Sequence, residues 1–397
     1  MSFQATKLEE KSLLVEIERI LPGGVGLAHA EGLTLFVALA APGDQLRVRV
    51  NRVRGNVGFA SIQEIVRPSP MRVEPPCPYF GRCGGCDFQQ LTYEAQLKAK
   101  VDIIEDCLHR IARLQSSPEI EIHPAASPWQ YRARAIWQFD SRTNSLGYFE
   151  AGSHRVCDVE VCAVLVPELE KLLEVTRAQI RQGSLEIAPG EIEVVAGDEG
   201  AISVAPPFAD LLNAEVSREI GSDTYTFNAE AFFQINHHLL SSLVNAAVPR
   251  EAGRVALDLY CGVGLFTLPV ARRFQHVVGV ESNLVAARFA RRNLQHASLL
   301  NARIVSARVG QWLETGLAGL REVDLVLLDP PRSGAEPGVM ERIVRLRPCR
   351  ISYVSCDPAT LARDLRILTE GGYSLDSIAA FDMFPQTHHV ETVAILS

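Results

Sequence analysis

Nine cysteines stand in this chain, and their spacing separates them by the chemistry each could do. Cys77, Cys83 and Cys86 fall close together in PPCPYFGRCGGCDFQQL, a stretch whose prolines and glycines bar regular structure over any length. Three thiols in a loop that cannot order itself by packing point to a metal. Zinc sites usually show two short cysteine pairs, whereas one tight triple with a single distant partner suits an iron–sulfur cluster. Radical chemistry would want a different first gap and an iron left open. The distant partner is Cys157 or Cys162, both in RVCDVEVCAV. Cys107 on an apolar helix, Cys349 beside a proline and Cys261 in a glycine-rich turn read as structural. Cys356, in RISYVSCDPATLARDL, sits at a strand end directly before Asp-Pro and a helix start, where the helix dipole can lower a thiol pKa. A buried cysteine at a strand end is commonly inert, so position alone does not make it a nucleophile.

The carboxylates supply context. VALDLYCGVGLFTLPVA sets Gly262 and Gly264 between a buried strand and a helix, where backbone N–H groups can approach a polar ligand. A dinucleotide loop would want a third glycine where Thr267 stands, so the pyrophosphate reading loses ground. Glu281 ends the next strand, HVVGVE, and can take both ribose hydroxyls of a nucleoside; this arrangement resembles class I methyltransferases. Asp329, in VDLVLLDPPRSG, ends a further strand in the crevice where open α/β sheets bind ligands. Amino-group methyltransferases place an aromatic after such an Asp-Pro-Pro; Arg332 stands here instead, which leaves the exocyclic amine as runner-up. Glu391 lies inside an otherwise apolar final strand, HVETVAIL, and an isolated acid in a strand interior is expensive to bury without a task. A thiol and a buried acid together fit one demanding reaction. Carbon 5 of uracil is a poor nucleophile until a thiolate adds at carbon 6, and its proton must leave to a base after transfer.

Those residues need elements to hold them. From about residue 225, apolar runs (VALDLY, HVVGVE, ARIVSA, VDLVLLD, RISYVS, HVETVAIL) alternate with helical stretches, which predicts a doubly wound α/β domain over 225–397, its runs of parallel-sheet type. Residues 69–224 read as a β-rich central domain carrying the cysteine loop, with a helix at about 92–114 expected to lie against the catalytic domain and another at about 167–182. Residues 1–68 read as short strands broken by GG, PGD and RGN turns, a small OB-like barrel. PGGVGLA through LFVALAAPGDQLRVRV resembles the TRAM module of RNA-modifying enzymes. With 47% hydrophobic and 22% charged residues the chain should fold unaided, and its net charge of -8 gathers in the C-terminal part, so any RNA-binding face is local. The N-terminus lacks signal-peptide organisation and no apolar run spans a bilayer, so a cytoplasmic monomer without membrane attachment is expected.

FFQIN, DLYCGVGLFTLP, DPPRSG, SCDPATLARDL and HVETVAIL, in that order, closely resemble the RNA uracil-5 methyltransferases. The resemblance implies S-adenosylmethionine as cofactor, contacted by Gln234, Tyr260, Gly262, Glu281 and Asp329. It further implies Cys356 as the nucleophile at carbon 6, Glu391 as general base, and a [4Fe-4S] cluster whose fourth ligand is Cys162. RNA is the implied partner: 23S rRNA by analogy with cluster-bearing relatives, with tRNA as the alternative and an inactive RNA-binding assembly factor as the rival of another class. Two departures stand out. Leu265 replaces a polar residue near the cofactor, and IVSARVG lacks the acid often found after the third strand.

Overall fold

In the computed structural model, which describes residues 11–185, 187–208, 211–316 and 322–397, the chain forms sheets of six, five and eight strands and a two-stranded hairpin. The first sheet holds β1 (Ser12–Glu16), β2 (Arg19–Leu21), β3 (Val25–Ala30), β4 (Leu33–Val37), β5 (Gln45–Arg54) and β6 (Val57–Arg67), in the order β1-β5-β6-β4-β3-β2. Alternation along β5 turns Leu46, Val48 and Val50 inward and Arg47 and Arg49 outward, as the two-residue strand period demands. The cysteine loop follows without long elements. Its start is fixed by fully buried Asp44, whose carboxylate accepts from Ser69 N (2.9 Å) and from the Arg72 guanidinium (2.7 Å).

Next come α1 (Tyr93–Arg110), β7 (Ile120–His123), β8 (Arg134–Asp140), β9 (Ser145–Phe149), β10 (Val156–Asp158), α2 (Pro167–Arg181), β11 (Gly190–Ala196) and β12 (Ile202–Ala205). Five of these strands form the sheet β10-β9-β8-β11-β12, covered by α2 around Trp137, Leu146, Leu169, Leu173 and Val194. The hairpin β13 (Val216–Ile220) and β14 (Asp223–Phe227) then leads through α3 (Leu240–Ala247) into the last region.

That region holds β15 (Gly253–Leu259), α4 (Thr267–Ala271), β16 (Phe274–Glu281), α5 (Leu284–His296), β17 (Ala302–Ser306), α6 (Val309–Thr315) and β18 (Leu325–Leu328). It continues through α7 (Val339–Leu346), β19 (Arg350–Ser355), α8 (Pro358–Glu370), β20 (Leu375–Phe381) and β21 (Glu391–Leu396). The sheet order is β17-β16-β15-β18-β19-β21-β20-β7. Strands β15 to β19 pair in parallel, and the apolar runs that encode them bury both faces: Leu325 and Leu327 point into one core, Val326 and Leu328 into the other. Strand β21 departs from the parallel reading of HVETVAIL. It runs antiparallel to both β19 and β20, because the chain returns from β20 through a short loop rather than a helical crossover. Strand β7, within the interval read as central, pairs in parallel with β20 at the sheet edge. Helix α1 buries Ile103, Ile104, Cys107 and Leu108 in the same core as Leu361, Ala362 and Leu365 of α8. The sequence of strands reverses direction between β15 and β18, and the crevice beyond their carboxyl ends is where such sheets bind ligands.

Candidate active site

The crevice is a cleft of about 1260 Å³ whose lining includes Gln234, Tyr260, Gly262, Glu281, Asp329, Cys356 and Glu391. Each arrives from a strand end or the loop after it. After β15 the chain turns sharply: Tyr260 (φ 63°), Gly262 (φ 54°) and Gly264 (φ 94°) all take left-handed backbone. A side chain is tolerated there at Tyr260, but a Cβ on Gly264 would meet Leu268 at 3.1 Å, so the turn against α4 wants glycine. Glu281, the last residue of β16, accepts from Gly262 N (3.0 Å) and Asn283 N (2.6 Å), which fixes its carboxylate beside the glycine turn. Buried Asp258 receives the Thr267 hydroxyl at 2.5 Å and so ties β15 to α4; nothing in the sequence pattern marked it, since an Asp inside an apolar strand reads as part of the motif around it.

Across the cleft, Asp329 follows β18 and its N–H donates to Leu259 O at 3.2 Å. Cys356 follows β19. The β19–β21 register pairs Ser355 with Thr392, so one step further sets Cys356 opposite Glu391. Glu391 is 1% exposed and its Oε1 has no hydrogen-bond partner among the described residues. Burial, and then the charge of Asp329, push the Glu391 carboxyl well above the carboxylate range. Asp329 is raised in the same way, by burial first and then by Asp258. Burial likewise lifts the Cys356 thiol to about 12, with Glu391 and Asp329 adding to it and Arg332 opposing. A thiol, two proton-holding acids and a guanidinium thus line one side of the cleft, a setting in which protons can be moved between groups during a reaction.

The four cysteines singled out from spacing and resemblance also meet. Cys77, Cys83, Cys86 and Cys162 line one small cavity of about 20 Å³, while Cys157 lies buried in β10 with its sulfur accepting from Arg82 Nε at 3.3 Å. Among the described residues no three His, Cys, Asp or Glu side chains form a group that could hold a metal ion. Burial raises Cys83 to about 12 and Cys86 to about 11. Arg132 and Tyr148 line both this cavity and the large cleft. Burial works against the Arg132 charge, but Tyr131, Tyr148, Cys86 and Cys162 outweigh it, and its Nε finds no partner among the described residues. Arg132 and Tyr148 were missed from sequence; the basic pair in YRARAIW, inside an alternating segment, was the signal available.

A switch-point crevice with a glycine turn, a strand-end acid beside it and reactive groups across from it is the layout of an α/β enzyme that takes a nucleoside-bearing cofactor. A family profile described as tRNA (Uracil-5-)-methyltransferase matches residues 210–397. The 23S rRNA (uracil(1939)-C(5))-methyltransferase RlmD of Pectobacterium atrosepticum is 33% identical, covering 97% of this chain and 93% of its own. The RlmD of Pseudomonas putida is 34% identical over the same shares. Among solved structures, the Pyrococcus abyssi tRNA (uracil-54, C5)-methyltransferase in complex with S-adenosyl-L-homocysteine is 26% identical, with a TM-score of 0.75, covering 97% of this chain and all of the other. The chain belongs to the RNA uracil-5 methyltransferase family. Its cofactor is S-adenosylmethionine, its substrate is RNA, and no helix among the described residues is long and apolar enough to cross a membrane.

Proposed function

We propose that this protein methylates carbon 5 of a uridine in 23S rRNA, through a covalent bond between Cys356 and carbon 6 of the base. The observation that carries this reading is the strand register that brings Cys356 and Glu391 together in the cleft that also holds Glu281 and Asp329. The large-subunit substrate is favoured by the two relatives named for 23S rRNA, each at higher identity than the solved tRNA enzyme.

S-adenosylmethionine supplies an electrophilic methyl group on a cationic sulfur. Glu281 would hold the ribose hydroxyls, and Tyr260, Gly262, Gln234 and Asp329, which line the same cleft, would hold the rest of the cofactor. Cys356 gives up its thiol proton to solvent in the cleft, an ionisation that burial resists and Arg332 eases, and forms the sulfur–carbon 6 bond; the displaced π electrons make carbon 5 nucleophilic. Once carbon 5 has taken the methyl, Glu391 removes its proton, for which the carboxyl that burial keeps protonated must first have released its own. The returning electron pair restores the ring double bond and expels Cys356. A stacked uracil cannot present its ring faces, so the nucleotide must leave the stack, at a cost of a few kcal/mol. The six-stranded sheet, between Ser12 and Arg67, is read as the TRAM-type RNA-binding module.

The four cysteines are not drawn together as a formed metal site, and the chemistry of their cavity is what favours a [4Fe-4S] cluster there. All four donors are soft sulfurs, and a guanidinium with an unmet N–H stands beside them to balance an anionic group. Cys77, Cys83, Cys86 and Cys162 would hold it, and the chemistry of methyl transfer asks no electron of it, so its task is to order the loop.

The test uses a 23S rRNA fragment and a tRNA, each carrying 5-fluorouridine, with S-adenosylmethionine present. Fluorine cannot leave as a proton would, so the wild-type protein is expected to stall as a denaturation-resistant adduct with the 23S fragment, and Cys356→Ala to form none. An undiminished adduct with Cys356→Ala would sink the mechanism; an adduct with tRNA alone would move the substrate.

A further inference from the structure

The adenine of the cofactor carries an exocyclic amino group, which needs an acceptor once it leaves water. The end of β17 offers no acidic side chain: Ser306, whose hydroxyl already accepts from Arg291 at 2.6 Å, is followed by Ala307, Arg308, Val309 and Gly310. Yet the base belongs there. In the β16–β17 register Glu281 pairs with Ser306, and neighbouring strands lie about 4.8 Å apart, so a ribose held at Glu281 sets its base toward the end of the adjacent strand.

We propose that Glu336, from the loop after β18, is a specificity-determining residue for the cofactor, its carboxylate accepting the adenine amino group. That loop folds back over the strand ends to the start of α6. Glu336 Oε2 accepts from Gly310 N at 3.3 Å, and a Cβ on Gly310 would come within 2.7 Å of that oxygen, so the carboxylate fills the space a side chain after β17 would use. Its backbone N–H donates to the Tyr260 hydroxyl at 3.2 Å, which pins it to the glycine turn, and it lines the same cleft as Glu281. Arg308 Nη2 stands 3.8 Å from Oε2. Oε1 has no hydrogen-bond partner among the described residues and is the oxygen offered to the ligand. An acid borrowed from one loop thus replaces the one missing from another.

The inference rests on the reading of Glu281 as the ribose acid, and the experiment separates the two. Calorimetry compares S-adenosylhomocysteine with S-inosylhomocysteine, which has a carbonyl oxygen in place of the amino group; both lack the sulfonium charge, so Glu336 acts on neither through the sulfur. The wild-type protein is expected to prefer the adenosyl compound by at least about 30-fold, since a carbonyl facing a carboxylate is left unpaired. Glu336→Gln, whose amide can turn to suit either ligand, is expected to bring the ratio to within about threefold. A purely structural role would weaken both ligands alike and leave the ratio standing. A wild-type protein that binds both equally, or a Glu336→Gln protein that keeps the preference, overturns the proposal. Glu281→Gln should weaken both ligands together; unchanged binding in that variant overturns the ribose reading instead.

Discussion

Asp329 and Glu391 illustrate how a single residue's charge is decided by its neighbours. Both are buried carboxyls that hold their protons more tightly than free acids do, and a cationic sulfur brought beside Asp329 would reverse that for this group. With Asp329 pushed up to about 7, binding of S-adenosylmethionine at lower pH must expel a proton, whereas binding of neutral S-adenosylhomocysteine need not. The affinity ratio of the two should therefore climb by up to about tenfold per pH unit below 7 and level off above it. Calorimetry from pH 5.5 to 8.5 checks this, and Asp329→Asn should flatten the curve. The sign for stability is opposite to that of an ordinary ion-paired acid. A raised folded pKa contributes stability below the unfolded value of about 3.9, and that contribution is lost as pH rises through 7. The same neighbours made Asp329 legible only in part: DPPRSG marked a turn in a crevice, but not that Asp258, two strand positions into β15's end, would share its burial.

At the scale of elements, the cysteine loop shows what spacing can and cannot say. The triple Cys77, Cys83 and Cys86 pointed to a metal because the segment between prolines and glycines had no other means of order, but spacing left Cys157 and Cys162 open as the fourth donor. Cys157 lies inside β10 and turns into the core, 1% exposed, while Cys162 falls beyond the strand's end and lines the thiol cavity, which favours Cys162 as the proposed donor. Cys162→Ala is accordingly expected to lose iron and sulfide and the brown colour of the anaerobically purified protein, and Cys157→Ala to retain them. Iron and sulfide analysis beside absorption spectra checks this; zinc in stoichiometric amount in the wild type would overturn the cluster. The last strand teaches a related lesson. HVETVAIL has the composition of a buried strand in either direction, and its antiparallel course came from the loop before it, which no strand propensity encodes.

For the whole molecule, the telling contacts join residues far apart in the chain. Lys100 on α1 is fully buried, with its ammonium on Asp382 and on Phe384 O (3.0 Å), while the Tyr93 hydroxyl donates to the other Asp382 oxygen at 2.7 Å. This network holds the loop between β20 and β21, and hence Glu391, against a helix that comes from the first third of the chain. Lys100→Met would leave the Asp382 charge buried without its partner, and is expected to cost about 3–5 kcal/mol in chemical denaturation. Lys100→Met with Asp382→Asn should recover part of that loss. By itself the sequence determined the apolar periodicities that make the strands and helices, the glycine turn, the strand-end positions of Glu281, Asp329 and Cys356, and the cysteine triple, because each of these is written in residues close together. Only the tertiary structure decided that Cys356 meets Glu391 across an antiparallel register, that β7 joins the last sheet, that Arg132 and Tyr148 form one wall between the thiol cavity and the cleft, and that Glu336 stands where β17 ends without an acid. Each of these depends on which distant segments pack together, and that is fixed by the burial of whole faces rather than by any local pattern.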